Sequence, residues 1–261
     1  MHCLEDREEK RVRMLEEAKN KVREAFASGD HSIIQAINTY MEIDRIKNLL
    51  SERLYEWYGI YFPDVRSGSQ DAYARLASEV RRKEDADIGI VEKIFGEGAN
   101  KVIESLNSEN SRDIPEEEHA AIRKLAEGEL RLAELQESID AYLSEETKKH
   151  MPNITYLIEY RIAAELLAKA GSLVRLANMP SGTIQLLGAE KALFKHMKFG
   201  SKPPKYGILY KLAEISNAPK EKRGRLARAY ATKISIAARA DAYTKRFIAD
   251  KLKESLKKNS K

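Results

Sequence analysis

The chain has 261 residues, with 46 Lys and Arg against 41 Asp and Glu, 43% hydrophobic residues and 33% charged ones. That is enough apolar material for a folded core, and no run of about 18 apolar residues is present to cross a membrane as a helix. The N-terminus MHCLEDREEKRVRM carries charge where a secretory signal needs an apolar stretch, and the single Cys3 has no internal disulfide partner, so a reducing compartment is expected.

Charge is divided unevenly along the chain. Residues 1–150 hold 23 basic and 33 acidic side chains, whereas residues 151–261 hold 23 basic and 8 acidic. A strongly basic half points to a polyanionic partner, nucleic acid before an anionic membrane, because no basic amphipathic anchor stands out.

Apolar residues recur at three and four positions and only 13 Gly and 7 Pro interrupt them, which predicts an all-α protein. In the N-terminal helical region, 1–69, Leu4, Val12, Leu15, Ala18, Val22 and Phe26 form a stripe over about 4–27 suited to a partner helix. Gly29 ends that segment, Asp30 is placed to cap the next, and Ile33, Ile34, Ile37, Tyr40, Met41, Ile46, Leu49, Leu50, Leu54, Trp57 and Tyr58 make the broad apolar face of a core helix over about 31–58. Over 70–150, helices at about 70–95 and 115–150 are expected to pair as a protruding antiparallel coiled-coil hairpin, the second opening at Asp113-Ile114-Pro115. Glu129 and Gln136 fall on its seam, so self-association and a hairpin closed within one chain both stay open. A compact helical domain is expected over 151–247, with a buried helix at 153–178, a short extended piece, a helix opening near Gly188 and a long Ala-rich helix. Residues 248–261 read as a frayed basic tail.

No enzyme signature survives scrutiny. The five histidines, His2, His31, His119, His150 and His196, lack metal-ligand spacing, and Gly96-Glu97-Gly98 is a helix-connecting turn rather than a phosphate loop. Carboxylates interleave with Lys and Arg at helical spacing, as solvated faces do. Neither a catalytic residue nor a metal or cofactor is expected.

The basic cluster is another matter. Between 188 and 228 there are eleven Lys or Arg, opposed by Glu190, Glu214 and Glu221. Lys191, Lys195 and Lys198 share one helical face, which would leave Leu193, Phe194 and Met197 for the core. The helix start Gly188-Ala189-Glu190-Lys191 offers free backbone N–H groups to a phosphate. Lys202, Lys205 and Lys220 with Arg223, Arg225 and Arg228 could complete a groove tracking a phosphate backbone, while Tyr206 and Tyr210 could stack on bases.

The strings PNITYLIEYRIAAELLAKAGSLVRLANMPSGTIQLLGAEKALFKHMK, PKYGILY and RGRLARAYATKISIAARADAY together resemble the Nop domain, and RLYEWYGIYFPDV is similar to the segment that precedes the coiled coil in archaeal box C/D scaffolds. The resemblance covers nearly everything after residue 30. It implies a ribonucleoprotein assembly factor that recognises a kink-turn RNA together with a bound, ribosomal-protein-like kink-turn-binding protein, and a coiled coil that self-associates. It would seat Gly188, Ala189, Glu190, Lys191 and Lys195 at the junction of RNA and protein, and Lys205, Tyr210, Arg223, Arg225 and Arg228 on the RNA backbone. Two departures stand out. Box C/D scaffolds carry a separate fibrillarin-holding domain where a highly charged stretch of about thirty residues stands here, which leaves fibrillarin recruitment open. Some relatives place a stacking histidine where this chain has Tyr210-Lys211; a lysine can hold phosphate but cannot stack in that way. The short tails lean towards an archaeal, cytoplasmic protein, nucleolar or nuclear if eukaryotic. The other class of reading is a coiled-coil scaffold whose basic half has no RNA role.

Overall fold

The computed structural model describes residues 2–27 and 29–259, and every regular element among them is helical. Two compact units result, residues 39–140 and a second formed by residues 1–38 with 141–261. This division differs from the expected one, because helices that begin in one unit end in the other.

Helix α1 spans His2–Ala27, with Val12, Leu15 and Val22 exposed. Helix α2, Asp30–Tyr58, matches the expected core helix in extent and buries Ile33, Ile37, Leu54 and Tyr58, but Ile46 and Leu49 of the expected apolar face are exposed. Helix α3 spans Gln70–Glu79, and the Ser69 hydroxyl caps it by accepting the Ala72 N–H at 3.3 Å. Helix α4, Ile88–Phe95, is capped by Asp87, and a 3₁₀ turn at Gly96–Gly98 joins it to α5, Ala99–Leu106. Helix α6 runs 35 residues, Glu116–His150, with three Glu in its first turn and Lys148, Lys149 and His150 in its last, matching the helix dipole at both ends.

The core of residues 39–140 gathers Tyr58, Phe62, Tyr73, Leu76, Val91, Leu106 and Ile122. The stretch 70–95 is not a single helix. The chain leaves α3 in extended form at Val80, and residues 81–83 pair with 113–114: Ile114 donates to the Arg81 carbonyl at 3.0 Å and the Lys83 N–H to Asp113 at 3.2 Å. These bonds replace the helical ones that would be lost, and they take Asp113 away from its expected place at the start of α6. The helix that faces α6 is α2, since Trp57 donates to Glu118 at 2.7 Å and Gln136 to Asp44 at 3.4 Å, an antiparallel register. The polar seam positions are thus used within one chain: Gln136 bonds α2, and Glu129 is buried among Lys47, Ser51 and Asp71.

In the other unit the expected helix at 153–178 is three: α7, Pro152–Leu157, α8, Tyr160–Ala170, and α9, Leu173–Asn178. Extended residues at 158–159 make the first break and Gly171, at φ +85°, makes the second, a left-handed C-cap that glycine adopts without strain. The piece expected to be extended is helix α10, Ser181–Leu186. Helices α11, Glu190–Phe199, and α12, Ala213–Ser216, precede α13, Lys220–Arg239, which packs against α7, α9 and α10 and buries Leu226, Ala231, Ile234 and Ala238. A π-helical turn over Ala240–Thr244 leads to α14, Ala249–Asn259. Residues 249–259 are therefore no frayed tail: Ala249, Leu252 and Leu256 recur at helical spacing and are buried.

Two buried acids fasten this unit. Asp30 does not act only at its own helix; its carboxylate meets His150 Nε2 at 2.6 Å and accepts the Leu173 N–H at the start of α9 at 3.1 Å. Asp241 accepts from Asn153 N and Nδ2, at 3.0 and 2.7 Å, and from Ile154 N at 3.0 Å. Burial pushes the Asp241 carboxyl up from its ordinary range, against the pull of those three donors.

Candidate nucleic-acid interface

Two glycines bring the basic segments together. Gly188 has φ +86°, and a Cβ there would lie 2.6 Å from Ile208; at Gly207 it would lie 1.9 Å from the Leu187 carbonyl. Only glycine lets these strands of chain cross so closely. The crossing is tied by Gly207 N–H to Gln185 O at 3.0 Å, Ile208 N–H to Leu187 O at 2.7 Å and Gln185 Nε2 to Lys205 O at 2.7 Å. Residues 200–207 are thereby fixed beside the turn that opens α11. The stem of Lys205 lies along Gly224 of α13, and a groove of about 390 Å³ is lined by Gln185, Pro204, Lys205, Gly224, Arg225 and Arg228.

The cations here lack counterions. Among the described residues no carboxylate lies within ion-pairing distance of Lys191, Lys195, Lys198, Lys202, Lys205, Lys220, Arg225 or Arg228. Helix α13 opens with Lys220, Glu221, Lys222 and Arg223 after Pro219, three cations to one acid, with no side-chain cap. Cations at a helix N-terminus oppose its dipole, so this arrangement costs stability until an anion arrives.

Other expected residues have different settings. The Glu190 carboxylate accepts the Gly188 N–H at 2.7 Å, and bonds to the backbone of Gly188 and of Glu190 itself hold it below the usual carboxylate range. Instead of lying free for a phosphate, the N–H groups of Gly188 and Glu190 already meet this carboxylate, and that of Ala189 donates to the Leu186 carbonyl at 2.9 Å. Tyr206 and Tyr210 stack on each other, with ring centres 4.7 Å apart, leaving one face fewer on each for a base. Arg223 donates to the Ala218 carbonyl at 2.8 Å and the Tyr210 hydroxyl at 3.2 Å, which orients both. Lys211 is paired with Glu165 at 2.6 Å and stands apart from the unpaired group.

Helix α11 shows the largest difference. None of its ten residues is buried: of the side chains assigned to the core Leu193 is half-buried, while Phe194 is 68% exposed and Met197 72%, and Phe199 beside them is 71% exposed. Gly200, at φ +65°, and a contact from His196 Nδ1 to the Ser201 carbonyl close the helix. A helical stripe in the sequence marks an apolar face without telling whether the chain itself covers it. Phe194, Met197 and Phe199 thus join Lys191, Lys195 and Lys198 as a mixed apolar and basic surface.

A family model described as the Nop snoRNA binding domain, fibrillarin, matches residues 39–261. An uncharacterized NOP5 family protein of Methanocaldococcus jannaschii is 38% identical over 246 residues, 93% of this chain and 59% of that protein. Nucleolar protein 56 of Dictyostelium discoideum is 33% identical over 235 residues, 87% of this chain and 43% of its own length, and nucleolar protein 58 of Coccidioides immitis 34% over 228 residues, 86% and 38%. The chain therefore spans at most about three fifths of these relatives. In fold it is similar to a chain in the crystal structure of a fibrillarin/Nop5p complex, with a TM-score of 0.56 and 23% identity, covering 95% of this chain and 77% of that one. With the matched region extending over all of the basic cluster, the chain belongs to the Nop family.

Proposed function

We propose that this chain is a non-enzymatic RNA-binding scaffold of a small ribonucleoprotein, recognising a kink-turn RNA together with the protein already bound to it. The observation that carries this reading is the side-by-side placement of two unlike surfaces: a groove of unpaired cations from Lys205, Arg225 and Arg228, and a helix whose Phe194, Met197 and Phe199 are uncovered. Unpaired cations suit phosphate oxygens, which position RNA without reading its bases, and an exposed apolar helix suits a protein surface. Two such surfaces together suit a composite target. Lys191, Lys195 and Lys198 would lie at the join, with Lys202 and Lys220 extending the basic track.

The test is fluorescence anisotropy of a labelled kink-turn RNA titrated with this protein, with and without saturating kink-turn-binding protein, at two salt concentrations. Tight binding that needs the binder, and that weakens when Phe194→Ala and Met197→Ala are introduced, is expected. Equal weak binding with and without the binder, abolished by salt, would reduce the basic unit to a nonspecific polyanion surface.

A further inference from the structure

A second aromatic and basic surface lies at the other end of α13. After the π-helical turn the chain makes a tight excursion whose three tip residues, Lys245, Arg246 and Phe247, are all exposed. Lys245 has φ +56°, the one positive value outside glycine among the described residues, a conformation that costs a side-chain-bearing residue free energy. The excursion is nonetheless held firmly. Lys245 N–H donates to Ala240 O at 2.7 Å, Asn153 Nδ2 to Arg246 O at 2.9 Å, and Ile248 N–H to Asn153 Oδ1 at 2.7 Å. Asn153 is fully buried and is itself held by Asp241. The fold thus holds a strained tip in a fixed position.

What the tip presents is a ring between cations. Phe247 is 53% exposed and meets Tyr156, 42% exposed, edge to face at 5.4 Å. Lys253 Nζ stands 4.6 Å from the Tyr156 ring centre. Among the described residues no carboxylate forms a direct ion pair with Lys245 or Arg246; of the acids close by, Asp241 is buried beneath the tip and committed to Asn153 and Ile154 while attracting Lys245, and Asp250 takes a hydrogen bond from the Tyr156 hydroxyl. An exposed ring with charge on both sides is the arrangement that binds an unpaired nucleotide, the base stacking on the ring and the flanking phosphates meeting the cations.

We infer that Tyr156 and Phe247, with Lys245, Arg246 and Lys253, form a second contact for single-stranded RNA, separate from the groove at the start of α13. The stretch of α13 from Arg228 to Arg239 alone sets roughly 17 Å of helix between them at ~1.5 Å per residue. The inference rests on the proposed function only for its ligand class. Unstacked bases favour a ring, whereas an acidic protein would be served by the lysines alone.

The experiment places a reporter in the stack. In full-length Phe247→Trp, a short oligouridine should quench the new indole fluorescence, with Trp57 of the parent chain as the reference. Phe247→Ala and Arg246→Ala should each weaken oligouridine binding roughly tenfold, the scale of one stacked base, while Phe247→Tyr retains it. All are exposed positions, and thermal unfolding checks that the fold persists. Quenching that survives Arg225→Ala with Arg228→Ala supports the second site. Absence of quenching while oligouridine still binds through Arg225 and Arg228 would overturn it and leave the proposed function standing. Quenching by oligoglutamate but not by oligouridine would also overturn it, assigning the surface to an acidic protein.

Discussion

Between residues 39 and 140 the chain carries 14 basic and 23 acidic side chains, and several of the basic ones find partners nearby: Lys47 with Asp71 at 3.2 Å, Arg53 with Glu56 at 2.6 Å, Arg82 with Asp85 at 3.2 Å and Arg123 with Glu127 at 2.9 Å. Between residues 188 and 228 there are eleven basic side chains, and the ion pair found among them is that of Lys211 with Glu165. Exposed ion pairs contribute little to stability, so the first pattern is charge balanced in place. The second pattern works against the folded state by self-repulsion and by opposing the dipole of α13. What sets the proposed binding surface apart from a solvated one in this molecule is therefore not charge density but the absence of counterions.

The largest effect should come from the charge that the basic unit keeps inside. Asp241→Ala removes an acceptor for three donors and leaves Asn153 and Ile154 with buried N–H groups unsatisfied, which should cost about 3–5 kcal/mol in urea denaturation. Asp241→Asn, which keeps one acceptor oxygen, should cost clearly less. Next comes the unpaired surface. Arg225→Glu with Arg228→Glu should lower affinity for the RNA–protein target by roughly 100-fold and reduce the salt slope by about two. The matched reversal Arg53→Glu with Arg123→Glu should change affinity less than about twofold, because those cations already have partners. Equal losses from the two pairs would show that only total charge matters, and the comparison would break.

Much of the helical framework was legible in the sequence, because α2 and α6 have periodic apolar faces and α6 has acidic and basic ends placed as its dipole requires. The break in 70–95 was not, since it depends on pairing of residues 81–83 with 113–114, a contact without a local signal. The density of Lys and Arg over 188–228 could be read directly, but their partners could not: Lys211 meets a glutamate 46 positions away, and Glu190 turns back onto its own helix start. Phe194 and Met197 were misread because periodicity reports amphipathicity and not what covers the apolar side. The glycine pair at 188 and 207 draws its meaning from a crossing visible only in three dimensions.

The smallest of these effects tests the comparison from the other side, within residues 39–140, where one carboxylate has no partner. Glu129 is fully buried and neither of its oxygens is hydrogen bonded. Burial first, then the like charge of Asp71, push it up to about 7, with Lys47 and the nearby Ser51 hydroxyl, which stands outside good hydrogen-bond geometry, pulling the other way. Its value in the fold is thus above that in the unfolded chain, so between the two the native state holds a proton that the unfolded state has released. Stability tied to this group is then fully present below about pH 4.5 and is lost as the pH rises through about 7. Glu129→Gln carries no proton to lose and should remove this slope, gaining of order 2 kcal/mol over the parent at pH 8 and little or nothing at pH 4. Asp71→Asn should shift the parent's loss of stability to lower pH, because removing a neighbouring negative charge eases the ionisation of Glu129 in the fold, so the midpoint should fall. Urea titrations of the three proteins across pH 4–8 measure the midpoint directly: a fall in Asp71→Asn together with a flat profile in Glu129→Gln is expected, and parallel profiles in all three would mean that Glu129 is solvated and that the acidic unit has no unpartnered charge to contrast with the basic one.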